Sequence, residues 1–366
     1  MVSDTGDAAV RQHGDGQYGI LYYRFENVQN VTTTNESSCP PLWTGCSKDP
    51  QSSIGKLYFD SSAQTTSFLR ASIFSCCCCA ATATSSKVPP EPRENPAVGL
   101  GPSHFNLEGG VFIVTGGARG LGLCLAEGLV EAGGNVYCFD REAGPSKDWG
   151  EAATRAKQYG GSLHYRQQDV SDTKHLDQTI ESIADKHQRL DGLIAAAGVQ
   201  KICPAVEYSA GDVAQMLAIN YTGVMMTATA AARQMFKYKC RGSMCFIASM
   251  SGQVANKGLT SPVYNSSKAA VIQLARNLAM EWSPIRKDGT GGIRVNCISP
   301  GHILTPMVLK NFEEVPGLRE KWESENMMGR LAEATEFKGA ALFLLSKASS
   351  FMTGSNIVID GGHTSW

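Results

Sequence analysis

From residue 105 to the end of the chain, short runs of β-branched and apolar residues alternate with longer segments of helical periodicity. This alternation is typical of β-α-β units and a parallel sheet. It predicts strands at 111–115, 135–140, 163–169, 192–197, 243–249, 294–299 and 356–360. The clearest helices are predicted at 121–132, 173–187, 212–236, 264–281 and 334–346. The fold class is therefore α/β, a doubly wound parallel sheet of Rossmann type that binds ligands at the carboxyl ends of its strands.

Residues 1–103 have a different pattern, rich in Ser, Thr, Asn and Gly, without sustained periodicity and ending in a proline-rich run. Such a segment buries too little apolar surface to offset its chain entropy. We expect 1–103 to be a low-complexity, mostly disordered extension and 104–366 to be one dinucleotide-binding catalytic domain. The first residues show neither a signal peptide nor an Arg-rich transit peptide.

Charge and apolar content narrow the possible partners. The formal net charge is −1, without a dense basic block, so we expect no nucleic-acid partner and no anionic membrane surface. No stretch approaches the roughly 18 apolar residues that a membrane-spanning helix needs. The remaining expectation is a small-molecule substrate.

Cysteine and histidine usage gives no indication of a metal. Four of the 12 cysteines are consecutive at 76–79, and neighbours cannot all ligate one ion. The cysteines at 124, 138, 203, 240, 245 and 297 lie in apolar segments and are interpreted as small buried side chains in a reducing compartment, the cytoplasm. The histidines lack metal-ligand spacing.

A glycine-rich turn follows the first predicted strand directly and opens a helix. Gly116, Gly120 and Gly122 match the needs of a dinucleotide turn: a tight bend, close backbone approach to a pyrophosphate, and close helix packing. Asp140 ends the next strand 24 residues after Gly116, where a carboxylate can bind a ribose diol. The combination favours a dinucleotide site over a purely structural glycine turn.

A second set of residues can perform proton transfer. Tyr264 and Lys268 stand four positions apart on one helix face, so an ammonium near the phenol would lower the tyrosine pKa toward neutrality. The phenol could then act as a general acid or base. Ser249, at the end of a predicted strand, could hydrogen-bond the reacting oxygen. The alternative interpretation is an ordinary surface Tyr and Lys with a structural serine.

Taken in order, these motifs resemble the short-chain dehydrogenase/reductase family over 105–366. The Gly-x-x-x-Gly-x-Gly turn and the Tyr-x-x-x-Lys pair are joined by matches at Asp169-Val170, Asn220, Pro300-Gly301 with Thr305, and Asp360-Gly361-Gly362. The resemblance implies an NAD(P)-dependent oxidoreductase that transfers a hydride between nicotinamide and a ketone or secondary alcohol. The catalytic residues it implies are Asn220, Ser249, Tyr264 and Lys268, with Asn220 holding a water that connects Lys268 to solvent. The implied cofactor-binding residues are Gly116, Arg119, Gly120, Leu121, Gly122, Asp140, Arg141, Asp169, Val170, Ala196, Gly198, Tyr264, Lys268, Pro300, Gly301, Ile303 and Thr305.

Two features leave alternatives open. Strand geometry favours Ser249 as the catalytic serine, whereas the family's commonest interval before the tyrosine favours Ser251. The family usually has Asn-Asn-Ala-Gly after its fourth strand, and this chain has Ala195-Ala196-Ala197-Gly198. The loss of the amides puts the bracing of the central sheet in doubt more than catalysis.

The chain further resembles fungal polyol and ketose reductases of the arabinitol, mannitol and sorbose type, including its ending at 360–366. That resemblance implies a sugar ketose or polyol substrate. Alternatives are a 3-oxoacyl thioester, a steroid-like ketone, or a non-catalytic nucleotide-binding scaffold. Residues 302–329 occupy the place of a substrate lid, in which four apolar residues either line the pocket or only pack against the domain: Met307, Leu309, Phe312 and Trp322.

Cofactor choice and assembly complete the expectations. Asp140 favours NAD because a carboxylate repels a 2′-phosphate, whereas Arg119 and Arg141 could bind that phosphate. We expect NAD to be preferred, with NADP possible. Relatives in the family usually form tetramers through the helices at 212–236 and 264–281, and we expect a homotetramer here. The residues expected at that interface are Met225, Met226, Ala230, Ala270, Leu274 and Leu278.

Overall fold

The computed structural model describes residues 102–366. The expected disordered extension therefore lies outside the described residues, except for its last two positions, which begin a short 3-10 turn at Pro102–Phe105. The cysteines at 76–79 also lie outside. No helix among residues 102–366 is long and apolar enough to cross a membrane.

Seven parallel strands form one sheet in the order β3-β2-β1-β4-β5-β6-β7. Alternate residues of each central strand point to opposite faces of the sheet. In β1, Ile113 packs into one hydrophobic core and Val114 into the other. The strands are β1 Val111–Thr115, β2 Asn135–Asp140, β3 Ser162–Gln167, β4 Gly192–Ala195, β5 Ser243–Ile247, β6 Arg294–Pro300 and β7 Asn356–Ile359.

Helices cover both faces of this sheet, which confirms the predicted doubly wound fold. The first core is closed by α3, α5 and α6, and the second by α1 and α9. The helices are α1 Gly120–Glu131, α2 Lys147–Ala156, α3 Thr173–His187, α4 Ala210–Leu217, α5 Val224–Lys237, α6 Pro262–Trp282, α7 Pro306–Glu314, α8 Leu318–Ser324 and α9 Lys338–Leu345. A π-helical segment, Ala218–Gly223, joins α4 to α5.

The predicted bounds of the strands differ from the observed ones where the chain leaves the sheet. The predicted strands at 192–197 and 243–249 end two residues earlier, at Ala195 and Ile247. The residues that follow turn away from the ladder and form the loops at its carboxyl edge. The helix Lys147–Ala156 was missed because its polar sequence has few apolar positions, of which Ala152 and Ala156 are buried.

The sheet order creates a crevice. Strands β1 and β4 are neighbours although β2 and β3 lie between them in sequence, so the chain reverses its direction of winding between β1 and β4. In open α/β sheets, ligands bind outside the carboxyl ends of the strands at such a point. The residues predicted to carry the chemistry follow those strand ends.

Candidate active site

A cavity of about 300 Å³ lies at the carboxyl ends of β1, β2, β4, β5 and β6. Every residue predicted to bind the cofactor lines this cavity, together with Ser249, Tyr264 and Lys268. Asn220, the fourth predicted catalytic residue, does not line the cavity. Sequence reasoning missed lining residues that neighbour the predicted ones: Phe139, Gln168, Ala197, Val199, Ile219, Ile247, Ala248, Pro306 and Val308.

The glycine turn has the backbone that an anion cradle requires. Gly116 and Gly120 have φ of +67° and +56°, which favour glycine. A Cβ on Gly116 would lie 2.9 Å from the Ala197 backbone, and one on Gly122 would collide with the Gly116 carbonyl oxygen. No side chain caps the first turn of α1, so its N–H groups remain available to a ligand. These residues fit the pyrophosphate of a dinucleotide.

At the outer end of the cavity, Asp140 is held at the end of β2. Its carboxylate accepts hydrogen bonds from the backbone N–H groups of Ala118 (3.3 Å) and Arg141 (2.9 Å). The Arg141 guanidinium lies 3.4 Å from Glu142, and both side chains are more than half exposed. Arg119 is exposed and forms no ion pair with any residue between 102 and 366. One fixed carboxylate thus faces two movable guanidinium groups.

At the inner end, α6 and the loop after β5 bring the three predicted catalytic side chains together. The Lys268 Nζ donates a 2.8 Å hydrogen bond to the carbonyl of Ile247 and lies 5.7 Å from the Tyr264 ring centroid. The Ser249 side chain lies beside the Tyr264 hydroxyl and lowers the pKa of that phenol. Ser249 is therefore the serine placed next to the tyrosine, and its Oγ accepts the N–H of Ser251 at 3.1 Å.

The electrostatics of this group differ from the sequence-based expectation. Burial raises the pKa of Tyr264, and the neighbouring Ser249 side chain offsets this only in part. Burial also lowers the pKa of Lys268 to about 8. The net lowering of the tyrosine pKa that the sequence predicted is therefore wrong for this arrangement, because desolvation of the phenolate outweighs the contribution of Ser249.

Asn220 sits in the π-helical segment and is fully buried. Its side chain binds both backbone groups of Val199, accepting the N–H and donating to the carbonyl at 2.9 Å each, and donates to the Ser267 hydroxyl at 3.1 Å. A Cβ on Gly198 would lie 3.4 Å from both the Asn220 Oδ1 and the Lys268 Nζ. The side-chain amide is thus committed to positioning the loop after β4, and the role of holding a water stays a prediction.

The two alanines that replace the usual asparagines, Ala195 and Ala196, leave the loop braced by other groups. The Thr115 hydroxyl accepts the N–H of Ala197 at 3.2 Å, and the close approach of Gly116 to Ala197 packs β1 against the same turn. With Val199 held by Asn220, the loop has hydrogen bonds on both sides of Gly198. The bracing that the sequence put in doubt therefore has identifiable substitutes.

The first turn of helix α7 borders the cavity through Pro306, Met307 and Val308, and α8 follows α7 in the chain. Of the four apolar residues considered as pocket walls, Met307 alone lines it. Phe312 and Trp322 pack into a separate small core with Leu318. Leu309 is half exposed. The lid is therefore built around its own apolar core and presents one face to the cavity.

Comparison with known proteins agrees with this geometry. Residues 116–364 match the family described as enoyl-(acyl carrier protein) reductase. The chain is 39% identical over 264 residues to the short chain dehydrogenases/reductase notP' of Aspergillus versicolor, covering 72% of this chain and 89% of the relative. It is 35% identical over 274 residues to the ribulose-forming D-arabinitol 2-dehydrogenase of Scheffersomyces stipitis, covering 72% and 96%. A gluconate 5-dehydrogenase from Burkholderia cenocepacia, solved with NADP and tartrate, superposes with a TM-score of 0.65 at 28% identity, covering 72% and 99%.

The fold, the glycine cradle and the serine, tyrosine and lysine at the end of the same cavity define a nicotinamide-dependent oxidoreductase. The chain belongs to the short-chain dehydrogenase/reductase family. Within that family it is an NAD(P)-dependent enzyme that transfers a hydride between nicotinamide and a carbonyl or alcohol carbon.

Proposed function

We propose that the enzyme interconverts a ketose and a polyol. The observation that supports this most strongly is that the Ser249 and Tyr264 side chains line one cavity beside Lys268, which provides two hydroxyl groups for one substrate oxygen. The named relatives support the substrate class, since one is an arabinitol dehydrogenase and another a gluconate dehydrogenase.

Each residue has a defined task in the reduction. The cofactor, when bound, supplies the hydride to the carbonyl carbon. The Ser249 hydroxyl hydrogen-bonds the carbonyl oxygen and stabilises its developing negative charge. Tyr264 gives its proton to that oxygen, so the ketone becomes a secondary alcohol, and Lys268 stabilises the tyrosinate that remains. In the oxidation of the polyol, Tyr264 takes the proton back.

A substrate screen tests the proposal. We expect reduction of ribulose, xylulose or sorbose, followed as NADH or NADPH oxidation, to exceed reduction of an acetoacetyl thioester, a steroid ketone and an enoyl thioester. Tyr264→Phe removes only the proton donor, so turnover should fall on the order of 1000-fold or more while cofactor binding, measured by fluorescence titration, is retained.

Three outcomes would contradict the proposed function. Activity confined to thioesters would replace the ketose by an acyl substrate. Unchanged turnover in Tyr264→Phe would remove the proposed mechanism. Cofactor binding by the wild type without any turnover across the screen would favour the nucleotide-binding scaffold.

We further propose a homotetramer in the cytoplasm that prefers NAD. Part of the expected interface needs revision, because Ala230, Leu274 and Leu278 are buried within the subunit's own core. Met225 and Met226 are only partly buried and remain available for helix contacts. The six cysteines within residues 102–366 are unpaired, which suits a reducing compartment. Sedimentation at micromolar concentration tests the assembly.

A further inference from the structure

Two side-chain amides connect the lid to the body of the enzyme. The Asn311 Nδ2, on α7, donates a 3.0 Å hydrogen bond to the Oε1 of Gln200, in the loop after β4. Asn311 is 6% exposed, whereas its neighbours Val308 and Phe312 pack into the apolar core of the lid. Within residues 102–366, the bond between Asn311 and Gln200 is the one side-chain hydrogen bond from α7 to the loop after β4. A buried Asn311 paired with a partly buried Gln200 at this place needs an explanation beyond packing.

The amide pair borders the substrate side of the cavity. Val199 and Val308 both line the cavity. Gln200 directly follows Val199, and Asn311 stands three residues after Val308, one helical turn along the same face. Neither Gln200 nor Asn311 lines the cavity itself; the pair lies directly beside its lining residues, between the loop after β4 and the lid.

The pair leaves one donor and one acceptor available. Neither the Gln200 Nε2 nor the Asn311 Oδ1 has a protein partner among residues 102–366, and neither atom is sealed from solvent. Rotating both amides by 180° reverses the bond between them but still leaves one carbonyl oxygen and one NH₂ group available. A hydroxyl both donates and accepts, so adjacent hydroxyls of a polyhydroxy chain match this pair.

Gln200 is also held in a fixed position relative to the catalytic helix. Its neighbour Val199 is bound through both backbone groups by Asn220. Asn220 in turn donates to Ser267, the residue before Lys268. A hydrogen-bonded path thus links α6, which carries Tyr264 and Lys268, to the amide pair and the lid.

We propose that Gln200 and Asn311 form the specificity site for substrate hydroxyls away from the reacting carbonyl. The inference rests on the proposed function, since it assigns residues to the recognition of a polyhydroxy substrate. In this proposal the two amides bind the substrate. The alternative is a structural role, in which their hydrogen bond only holds the lid against the loop after β4.

The test compares a hydroxylated and a hydroxyl-free substrate. Gln200→Met and Asn311→Leu keep the side-chain size and remove the hydrogen bonds. For each variant, kcat/KM for a ketopentose should fall on the order of tenfold, as expected for one lost hydrogen bond to a substrate. The kcat/KM for butane-2,3-dione should stay within about twofold, the range of a neutral substitution. The control variant is Lys310→Met, which removes an exposed cation from the same helix and should change neither value.

The outcomes distinguish a substrate-binding role of the amide pair from a structural one. An equal fall for both substrates, or a fall in the cofactor affinity, would show a structural role and overturn the specificity site while leaving the ketose function intact. A wild type that reduces the dione and none of the ketoses overturns the proposed function, and the hydroxyl site with it. Thermal midpoints within a few degrees of the wild type show that the variants are folded, and Gln200→Met, on the less buried partner, provides a second reading if Asn311→Leu unfolds.

Discussion

The two ends of the active-site cavity differ in how firmly their side chains are held. At the inner end, Lys268 and Ser249 are 4% and 8% exposed, and each has a hydrogen bond to its surroundings. At the outer end, the Arg141 side chain is 60% exposed and Arg119 is also exposed. Buried polar groups need defined partners, whereas exposed ones can exchange a protein partner for water. The chemistry is thus fixed by the fold, while the choice of cofactor depends on groups that the fold leaves free to move.

The largest effect that we expect at either end of the cavity is a loss of kcat, and it distinguishes the two serines at the inner end. Ser249→Ala removes the hydroxyl beside Tyr264 in the cavity, so we expect kcat to fall on the order of 100-fold or more. Ser251→Ala is the matched control. Ser251 contacts Ser249 through its backbone N–H, which alanine retains, so kcat should stay within about threefold. Steady-state kinetics on the same ketose measure both.

The opposite ranking would contradict the structural assignment. If Ser251→Ala lost more activity than Ser249→Ala, the interval before Tyr264 would be the better guide to the catalytic serine than the strand end. Equal losses would show that the two hydroxyls act together.

The inner end was largely predictable from the sequence because its chemistry depends on residue identity and spacing. Tyr264 and Lys268 are four residues apart on α6, and the strand end brings Ser249 to the same place. The glycine turn was predictable for the same reason, since positive φ at Gly116 and Gly120 admits few other residues. The pattern of β-branched runs similarly predicted all seven strands and their parallel arrangement.

Other features needed the three-dimensional structure. The tyrosine pKa could not be predicted because it depends on how far the phenol is buried and on its neighbour Ser249, which the spacing of Tyr264 and Lys268 does not reveal. The amide pair of Gln200 and Asn311 joins residues 111 positions apart and carries no motif. The sequence left open whether Met307 and Trp322 line the pocket or only pack against the domain, and the structure places Met307 in the lining and Trp322 in a small core. The two residues look alike in an apolar pattern and differ in the direction that they face.

A smaller expected effect concerns the free energy of unfolding that is lost by burying the charged Lys268 at the inner end. Burial lowers the pKa of Lys268 from 10.5 to about 8, which corresponds to about 3 kcal/mol. Losing the hydrogen bond to the Ile247 carbonyl costs about 1 kcal/mol. We therefore expect Lys268→Met to raise the free energy of unfolding by about 2 kcal/mol at pH 7 while abolishing most activity. Urea unfolding measures the difference.

The ionisation of Lys268 determines how the stability difference between the wild type and Lys268→Met changes with pH. The pKa of Lys268 is lower in the folded state, so below pH 8 both states carry the charge and the folded protein bears the full burial cost. Between about 8 and 10.5 the folded state releases the proton first, and wild-type stability should rise relative to Lys268→Met. A Lys268→Met protein less stable than the wild type at pH 7, or a difference that grows above pH 8, would contradict the burial argument.

The smallest predicted effect concerns the outer end, where a fixed carboxylate and two movable cations compete for the ribose. Asp140 is held by two backbone N–H groups, so its charge stays at the end of β2 and repels a 2′-phosphate. Arg141 is drawn toward Glu142, which leaves Arg119 as the principal attraction for that phosphate. We expect the wild type to prefer NADH, and Asp140→Ser to shift the ratio of catalytic efficiencies toward NADPH on the order of tenfold, about 1.4 kcal/mol. Arg119→Ser should shift the ratio the other way and leave the efficiency with NADH nearly unchanged. A wild type that already prefers NADPH by about tenfold would show that Arg119 outweighs Asp140, and the exposed end of the cavity, with its movable groups, would then determine the cofactor.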